Sequence, residues 1–148
     1  MNRYRGKNSK KRGFTLIELL IAISIVTILS GMGVTSYIAS IKKGRDARRR
    51  EDVQAISKSL EQYFVNNNSS YPIDSSCSGA ETFMSNDKLP TDPKGMGYDL
   101  ACAVNGTEFC ICATMEVLGS GNAYGRGGTS CTYTGGASKD YFCLGNLQ

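Results

Sequence analysis

Residues 14–41 read FTLIELLIAISIVTILSGMGVTSYIASI, and from residue 19 to residue 41 there is no charged side chain. About 20 helical residues, at roughly 1.5 Å each, cross a hydrocarbon core about 30 Å thick. The stretch is long and apolar enough to span a bilayer as one helix, and this constrains every other reading of the chain. A secretory signal peptide fits less well, because the apolar run exceeds the usual length of roughly 7–15 residues and no A-x-A-like site follows. The positive-inside count does not orient the helix, since six Lys/Arg precede it and six more lie at 42–50. The cysteines orient it better. All six lie beyond the apolar run, which points to an oxidising compartment for the C-terminal part and a cytoplasmic N-terminus.

Charge divides the chain in the same way. The 148 residues carry a net charge of +4, yet residues 1–50 hold 12 basic side chains against two acidic ones and residues 51–148 hold five against 11. Residues 1–13, MNRYRGKNSKKRG, contain six Lys/Arg and no acid, which is too polar to pack. The chain has no His, so Ser-His-Asp and Cys-His catalysis and His-ligated zinc are excluded. Its length leaves little material for a large enzyme core.

Glu18 is the one charge in the apolar run. An ionisable side chain there costs on the order of 3 kcal/mol and normally has a partner. A cut between Gly13 and Phe14 would create an α-amine, with a pKa near 8, in need of a counter-ion. Opposite charges about 4 Å apart attract by roughly 4 kcal/mol at an effective dielectric of 20. Each charge then relieves the other.

Lys11-Arg12-Gly13-Phe14-Thr15-Leu16-Ile17-Glu18 closely resembles the class III signal of type IV pilins and type II secretion pseudopilins. The resemblance implies that prepilin peptidase cuts after Gly13 and methylates the amine of Phe14. It further implies that Glu18 meets the N-terminal amine of a neighbouring subunit during assembly, with the Thr15 hydroxyl assisting. Loss of residues 1–13 removes six positive charges and no negative ones, taking the net charge from +4 to −2.

Beyond the span, Ile38, Ile41, Val53, Ile56, Leu60 and Phe64 recur at helical spacings, interrupted by a charged interval. One helix over about 14–65 follows, membrane-embedded or filament-core at 14–41 and amphipathic at 42–65. Asn66-Asn67-Asn68-Ser69-Ser70-Tyr71-Pro72 ends it, because Asn tolerates left-handed geometry and Pro cannot continue a helix. The stretches at 45–63 and 68–72 also resemble the corresponding part of pilins and major pseudopilins. Many of those proteins carry a Pro about 20 residues into the mature helix, whereas this chain has Gly31, Gly33 and Thr35. The glycines provide either a weak point or a close-packing surface. The basic run at 42–50 invites a nucleic-acid reading, but Asp46, Glu51 and Asp52 interleave at i,i+3 and i,i+4 spacings that favour ordinary surface pairs. A membrane-surface band or a helix-pairing face is favoured over DNA.

Residues 66–148 form the head, expected as a small antiparallel sheet with long loops, packed on the amphipathic half of the helix: an α+β pilin fold. Its clearest hairpin joins residues 98–104 to 107–115 through Asn105-Gly106, with further strands expected around 131–133 and 141–144. A head this small calls for staples, making Cys77, Cys102, Cys110, Cys112, Cys131 and Cys143 disulfide candidates. Cys110 and Cys112 are expected on opposite sides of one strand and so as poor partners for each other. A three-residue loop at 105–107 sets Cys102 opposite Cys110, while other registers favour Cys112. Pairing of Cys131 with Cys143 is implied by the resemblance to the C-terminal disulfide loop of many pilins.

The remaining motifs carry little chemistry. Cys110-x-Cys112 without His is a poor metal ligand set. The glycine-rich run at 119–128 lacks the Gly-Lys-Ser/Thr of a phosphate loop. Asn67, Asn68 and Asn105 fit N-x-Ser/Thr, which turn chemistry explains as well. Leu89-Pro90-Thr91-Asp92-Pro93-Lys94-Gly95-Met96-Gly97-Tyr98 resembles the LPxDPxG…Y segment of major pseudopilins. The usual Trp is missing, and near the C-terminus Asp140 stands almost alone, which argues against a pseudopilin and a calcium site. The expectation is a non-catalytic, self-assembling pilus subunit with no cofactor and no metal. It sits in the cytoplasmic membrane before assembly and in a surface filament afterwards. The alternatives are a major pseudopilin driving export and a minor or competence pilin binding DNA. Prepilin peptidase, an assembly ATPase and a membrane platform protein are partners by resemblance.

Overall fold

The computed structural model describes residues 13–95, 97–125, 131 and 137–146, with backbone alone at 32, 33 and 35. Residues 1–12 of the leader expected at 1–13, most of the strand expected at 131–133, and residues 126–128 of the glycine-rich run lie outside these. Cys131 itself is in no strand. The chain forms two compact units, Met1–Ala39 and Ser40–Gln148.

Among the described residues one α-helix, α1, runs from Leu16 to Asn66, matching the expected helix within two residues at its start and one at its end. In the first unit its apolar side chains are exposed all round, from Leu16 at 85 % to Val34 at 59 %. Ser24 and Thr27 return their hydroxyls to the carbonyls of Leu20 and Ile23 at 2.7 Å, so these two hydroxyls are satisfied within the helix. The helix is unbroken at Gly31, where a Cβ would meet nothing within 4 Å.

In the second unit the helix has one buried face, built from Asp46, Arg49, Val53, Ile56 and Leu60. Ile38 and Ile41, expected on the stripe, are exposed. The stripe instead continues backwards through two charged residues at the same three-and-four spacing, so the charged interval in the sequence is part of the packed face. Each fully buried aliphatic side chain here contributes about 1.5–3 kcal/mol. The helix ends as Asn68 and Ser69 take positive φ of 53° and 56°, with the Ser69 N–H donating to Phe64 O at 3.1 Å.

Three antiparallel strands, β1 (Asp99–Cys102), β2 (Phe109–Thr114) and β3 (Tyr141–Gly145), lie in the order β1-β2-β3. The central strand is buried on both sides. Phe109, Ile111 and Ala113 join Val53, Ile56, Leu60 and Tyr71 in the main core. Cys110 and Cys112 face a smaller cluster with Ala123 and Cys143. The two cysteines therefore share a face, contrary to the expectation that they oppose each other, because side-chain direction in a strand repeats every two residues.

The hairpin register also differs from expectation. Cys102 lies opposite Phe109, and Cys110 opposite Ala101. The turn is a four-residue loop at 104–107, closed by the Ala103 N–H on Glu108 O at 3.0 Å, one residue longer than the loop that would pair Cys102 with Cys110. Gly106 holds φ +69° in this loop, and a Cβ there would strike Ser70 Oγ. Its carbonyl accepts from Tyr71 N at 2.9 Å. All six cysteines are paired as Cys77–Cys102, Cys110–Cys131 and Cys112–Cys143. The Cys131–Cys143 pair is thus not formed. The β2–β3 register sets Cys143 directly opposite Cys112, at a Cα separation of 4.1 Å.

Candidate assembly site and helix clamp

Gly13 and Phe14 precede the helix, and Phe14 is 85 % exposed. Thr15 is the residue before the first helical turn and Glu18 stands three further on. The Thr15 N–H donates to Glu18 Oε2 at 3.0 Å, and the Thr15 hydroxyl donates to the same oxygen at 2.7 Å. In return the Glu18 N–H donates to Thr15 Oγ1 at 3.3 Å. This is a capping box, in which two amide donors left over at the helix start are satisfied reciprocally. A carboxylate at this end also complements the helix dipole. Both Thr15 bonds fall on Oε2, so among the described residues Oε1 accepts none, and no cation pairs with Glu18. The sequence signal for the box was the Thr15-x-x-Glu18 spacing ahead of an apolar run.

Charges of the second unit expected as ordinary surface pairs instead form a buried cluster with the head. Arg49 is fully buried, and Asp46 is 1 % exposed. The Arg49 guanidinium donates through Nε and Nη2 to the two Asp92 oxygens at 2.5 and 3.2 Å. Its Nη1 donates to Asp46 Oδ1 at 2.9 Å and Glu116 Oε1 at 3.0 Å. Arg45 forks onto Glu116 with two bonds of 2.6 Å, and Lys94 Nζ lies 2.9 Å from Glu116 Oε2. The Asp46 carboxylate accepts the backbone N–H groups of Glu116 and Val117 at 2.8 and 2.9 Å.

Three cations thus meet three carboxylates with bidentate geometry on two of them, the arrangement in which attraction offsets desolvation. The Arg45 fork holds the Glu116 carboxyl well below the usual range, with Lys94 and Arg49 adding to it. Asp92 raises the Arg49 pKa further. The Asp92 Oδ1 also accepts the Lys94 N–H at 2.7 Å, and Tyr98 donates its hydroxyl to Asp52 Oδ2 at 2.5 Å. Burial, together with that carboxylate, pushes the Tyr98 phenol up. The 89–98 segment is therefore clamped along helix residues 49–52 by its Asp and its Tyr. Arg49 could have been found by extending the apolar stripe back from Val53 by four residues. Its partners at 92 and 116 left no local signal.

The basic run is accordingly split. Arg45 and Arg49 bind the head, and Arg50 donates to Ser120 O at 2.6 Å and stands over the Phe142 ring. Lys42, Lys43 and Arg48 are exposed.

Residues 8–34 match the family described as the prokaryotic N-terminal methylation motif. The chain is 24 % identical over 98 residues to type II secretion system core protein G of Pectobacterium carotovorum, covering 66 % of this chain and 61 % of that protein. It is 38 % identical over 58 residues to the type IV wide pilus major component PilA4 of Thermus thermophilus, covering 39 % of this chain and 44 % of that one. Over 34 residues it is 50 % identical to prepilin peptidase-dependent protein D of Escherichia coli, 23 % of each chain. The chain therefore spans less than two thirds of the length of these curated relatives. No solved structure matches it significantly. With an N-terminal methylation motif opening a long apolar helix, and relatives among both groups, the chain carries the prepilin signal of the type IV pilins and type II secretion pseudopilins.

Proposed function

We propose that this chain is a structural, non-catalytic subunit of a type IV pilus-like filament. In this reading prepilin peptidase removes residues 1–13 by cutting after Gly13 and methylates Phe14. The 14–41 helix holds the subunit in the membrane, N-terminus cytoplasmic, until it moves into the filament core beside other copies. An ATPase and a platform protein drive that step, by analogy with the family.

The supporting observation is the half-used carboxylate of Glu18. Thr15 satisfies Oε2 and the helix start, but a hydrogen-bonded cap does not neutralise the charge, and Oε1 faces no donor among the described residues. A neighbour's Phe14 amine at about 4 Å offsets the cost of that charge, by roughly 4 kcal/mol against about 3 kcal/mol. The oxidised cysteines support an outward-facing head.

Mass spectrometry of the mature chain is expected to find N-methylated Phe14 at the N-terminus, and any other N-terminus overturns the reading. Glu18→Ala is expected to insert in the membrane yet form no filaments. Glu18→Gln separates charge from cap: glutamine can still close the box, so filaments from this variant would refute a role for the charge.

A secretion pseudopilin is the second reading, favoured by the longer match to core protein G. Deleting the gene and scoring surface fibres against secreted proteins separates the two: loss of fibres with normal secretion supports the pilus, and the reverse supports the pseudopilus.

A further inference from the structure

A cavity of about 250 Å³ in the second unit is lined by Lys43, Asp46, Arg50, Val117 and Ser120. Within it the Ser120 hydroxyl oxygen is buried and, among the described residues, has no hydrogen-bond partner. An orphaned buried hydroxyl is unfavourable, and a ligand oxygen that accepts its hydrogen bond relieves it. The two cations beside it are not neutralised, as neither Lys43 nor Arg50 has a carboxylate within ion-pair distance among the described residues. Arg50 gives one of its five donors to Ser120 O. The Asp46 carboxylate in the cavity wall is held by Arg49 and two backbone N–H groups, which offset its charge, and among the described residues it forms no ion pair with Lys43 or Arg50.

We propose that this cavity is a phosphate-group site, with Lys43, Arg50 and the Ser120 hydroxyl as its donors and a lipid headgroup phosphate as its ligand. The volume supports more than a bare ion, since a water occupies about 30 Å³ of liquid. Sequence supports a lipid source. Lys43 stands two residues past Ile41, the last residue of the apolar run, which is the level at which a basic side chain at the end of a span reaches lipid headgroups. Val117 supplies an apolar wall against which a glycerol or acyl carbon packs. The proposal does not depend on polymerisation, and its test does not score filaments.

The test is native mass spectrometry of the full-length chain in detergent, titrated separately with phosphatidylglycerol, phosphatidylcholine and inorganic phosphate. Wild-type protein is expected to retain phosphatidylglycerol over phosphatidylcholine. Lys43→Gln is expected to weaken that retention about fivefold, corresponding to about 1 kcal/mol, and Ser120→Ala to weaken it by a similar factor. Lys58→Gln, an exposed change outside the cavity, leaves it unaltered. Retention of inorganic phosphate that is lost in Lys43→Gln supports the site and assigns it to free phosphate instead of lipid. Equal retention of both lipids with no phosphate bound, or wild-type affinity in Lys43→Gln, overturns the proposal. Lys43 is exposed and carries no intrachain partner among the described residues, so its variant tests the site without unfolding the head.

Discussion

Arg48 and Arg49 are adjacent in an uninterrupted basic run, yet replacing each by Met should have opposite consequences. Arg49→Met removes the shared partner of Asp46, Asp92 and Glu116, two of which are themselves buried. Deleting one member of a buried ion cluster typically costs about 3–5 kcal/mol, because the remaining charges stay desolvated. The lower end applies here. Asp46 keeps two backbone donors, Asp92 keeps the Lys94 N–H, and Glu116 keeps Arg45 and Lys94. A loss of about 3 kcal/mol lowers the midpoint of a unit of this size by roughly 10–20 °C. Arg48 is exposed and its Met variant should lie within about 0.5 kcal/mol of wild type. The assay is thermal unfolding of the full-length chain in detergent, disulfides intact, followed by tyrosine near-UV circular dichroism. A cost below about 1 kcal/mol for Arg49→Met, or an equal cost for Arg48→Met, would refute the clamp.

Acid should loosen the same clamp. Glu116 is depressed in the fold, so its contribution is complete above its ordinary value of 4.5 and fades as pH falls below it. Glu116→Gln is expected to flatten that acid limb, and an unchanged limb assigns the loss elsewhere. Tyr98 is raised, so its contribution is present below its ordinary value of 10.0 and is lost as pH rises beyond it; Tyr98→Phe should remove this alkaline component from a pH series of melts. Gly106→Ala should cost about 1–3 kcal/mol, from a positive φ and a collision with Ser70, measured by denaturant midpoint. Non-reducing peptide mapping with stepwise reduction should recover Cys77 linked to Cys102, with Cys131 and Cys143 each joined to the Cys110-Ile111-Cys112 peptide. A peptide joining Cys131 to Cys143 would contradict the β2–β3 register.

The elements legible in the sequence are those whose information is local. Helix α1 follows from its periodicity and its Asn-rich end, and the hairpin from Asn105-Gly106. The capping box was equally local, since Thr15 and Glu18 stand at its defining spacing, but the carboxylate invited an intermolecular explanation first. Non-local features were hidden. Asp92 and Glu116 reach Arg49 across 43 and 67 residues, and nothing near either one marks it as the partner of a buried guanidinium. The disulfides depended on a single residue of loop length. A four-residue turn moves Cys102 from opposite Cys110 to opposite Phe109 and leaves it to reach Cys77 instead.

The clamp also ranks the readings of the basic run. Six Lys/Arg at 42–50 would suit a polyanion, but Arg45 and Arg49 are committed to carboxylates of the head, while Arg50 gives one donor to the Ser120 carbonyl and keeps its charge unpaired among the described residues. Lys42, Lys43 and Arg48 remain exposed, with Glu51 exposed beside them. Four phosphate contacts give a salt slope of about −3.6 on duplex DNA, whereas a protein making about 6–10 contacts reaches roughly 1.5 to 2.5 times that. Contact with DNA through this run alone would therefore be weak at physiological salt. At a membrane surface the same charges would add to an apolar helix long enough to cross the bilayer, without meeting the cost of association anew. The burial of Arg49 and the pairing of Arg45 thus leave the basic run with too few free charges for tight contact with duplex DNA.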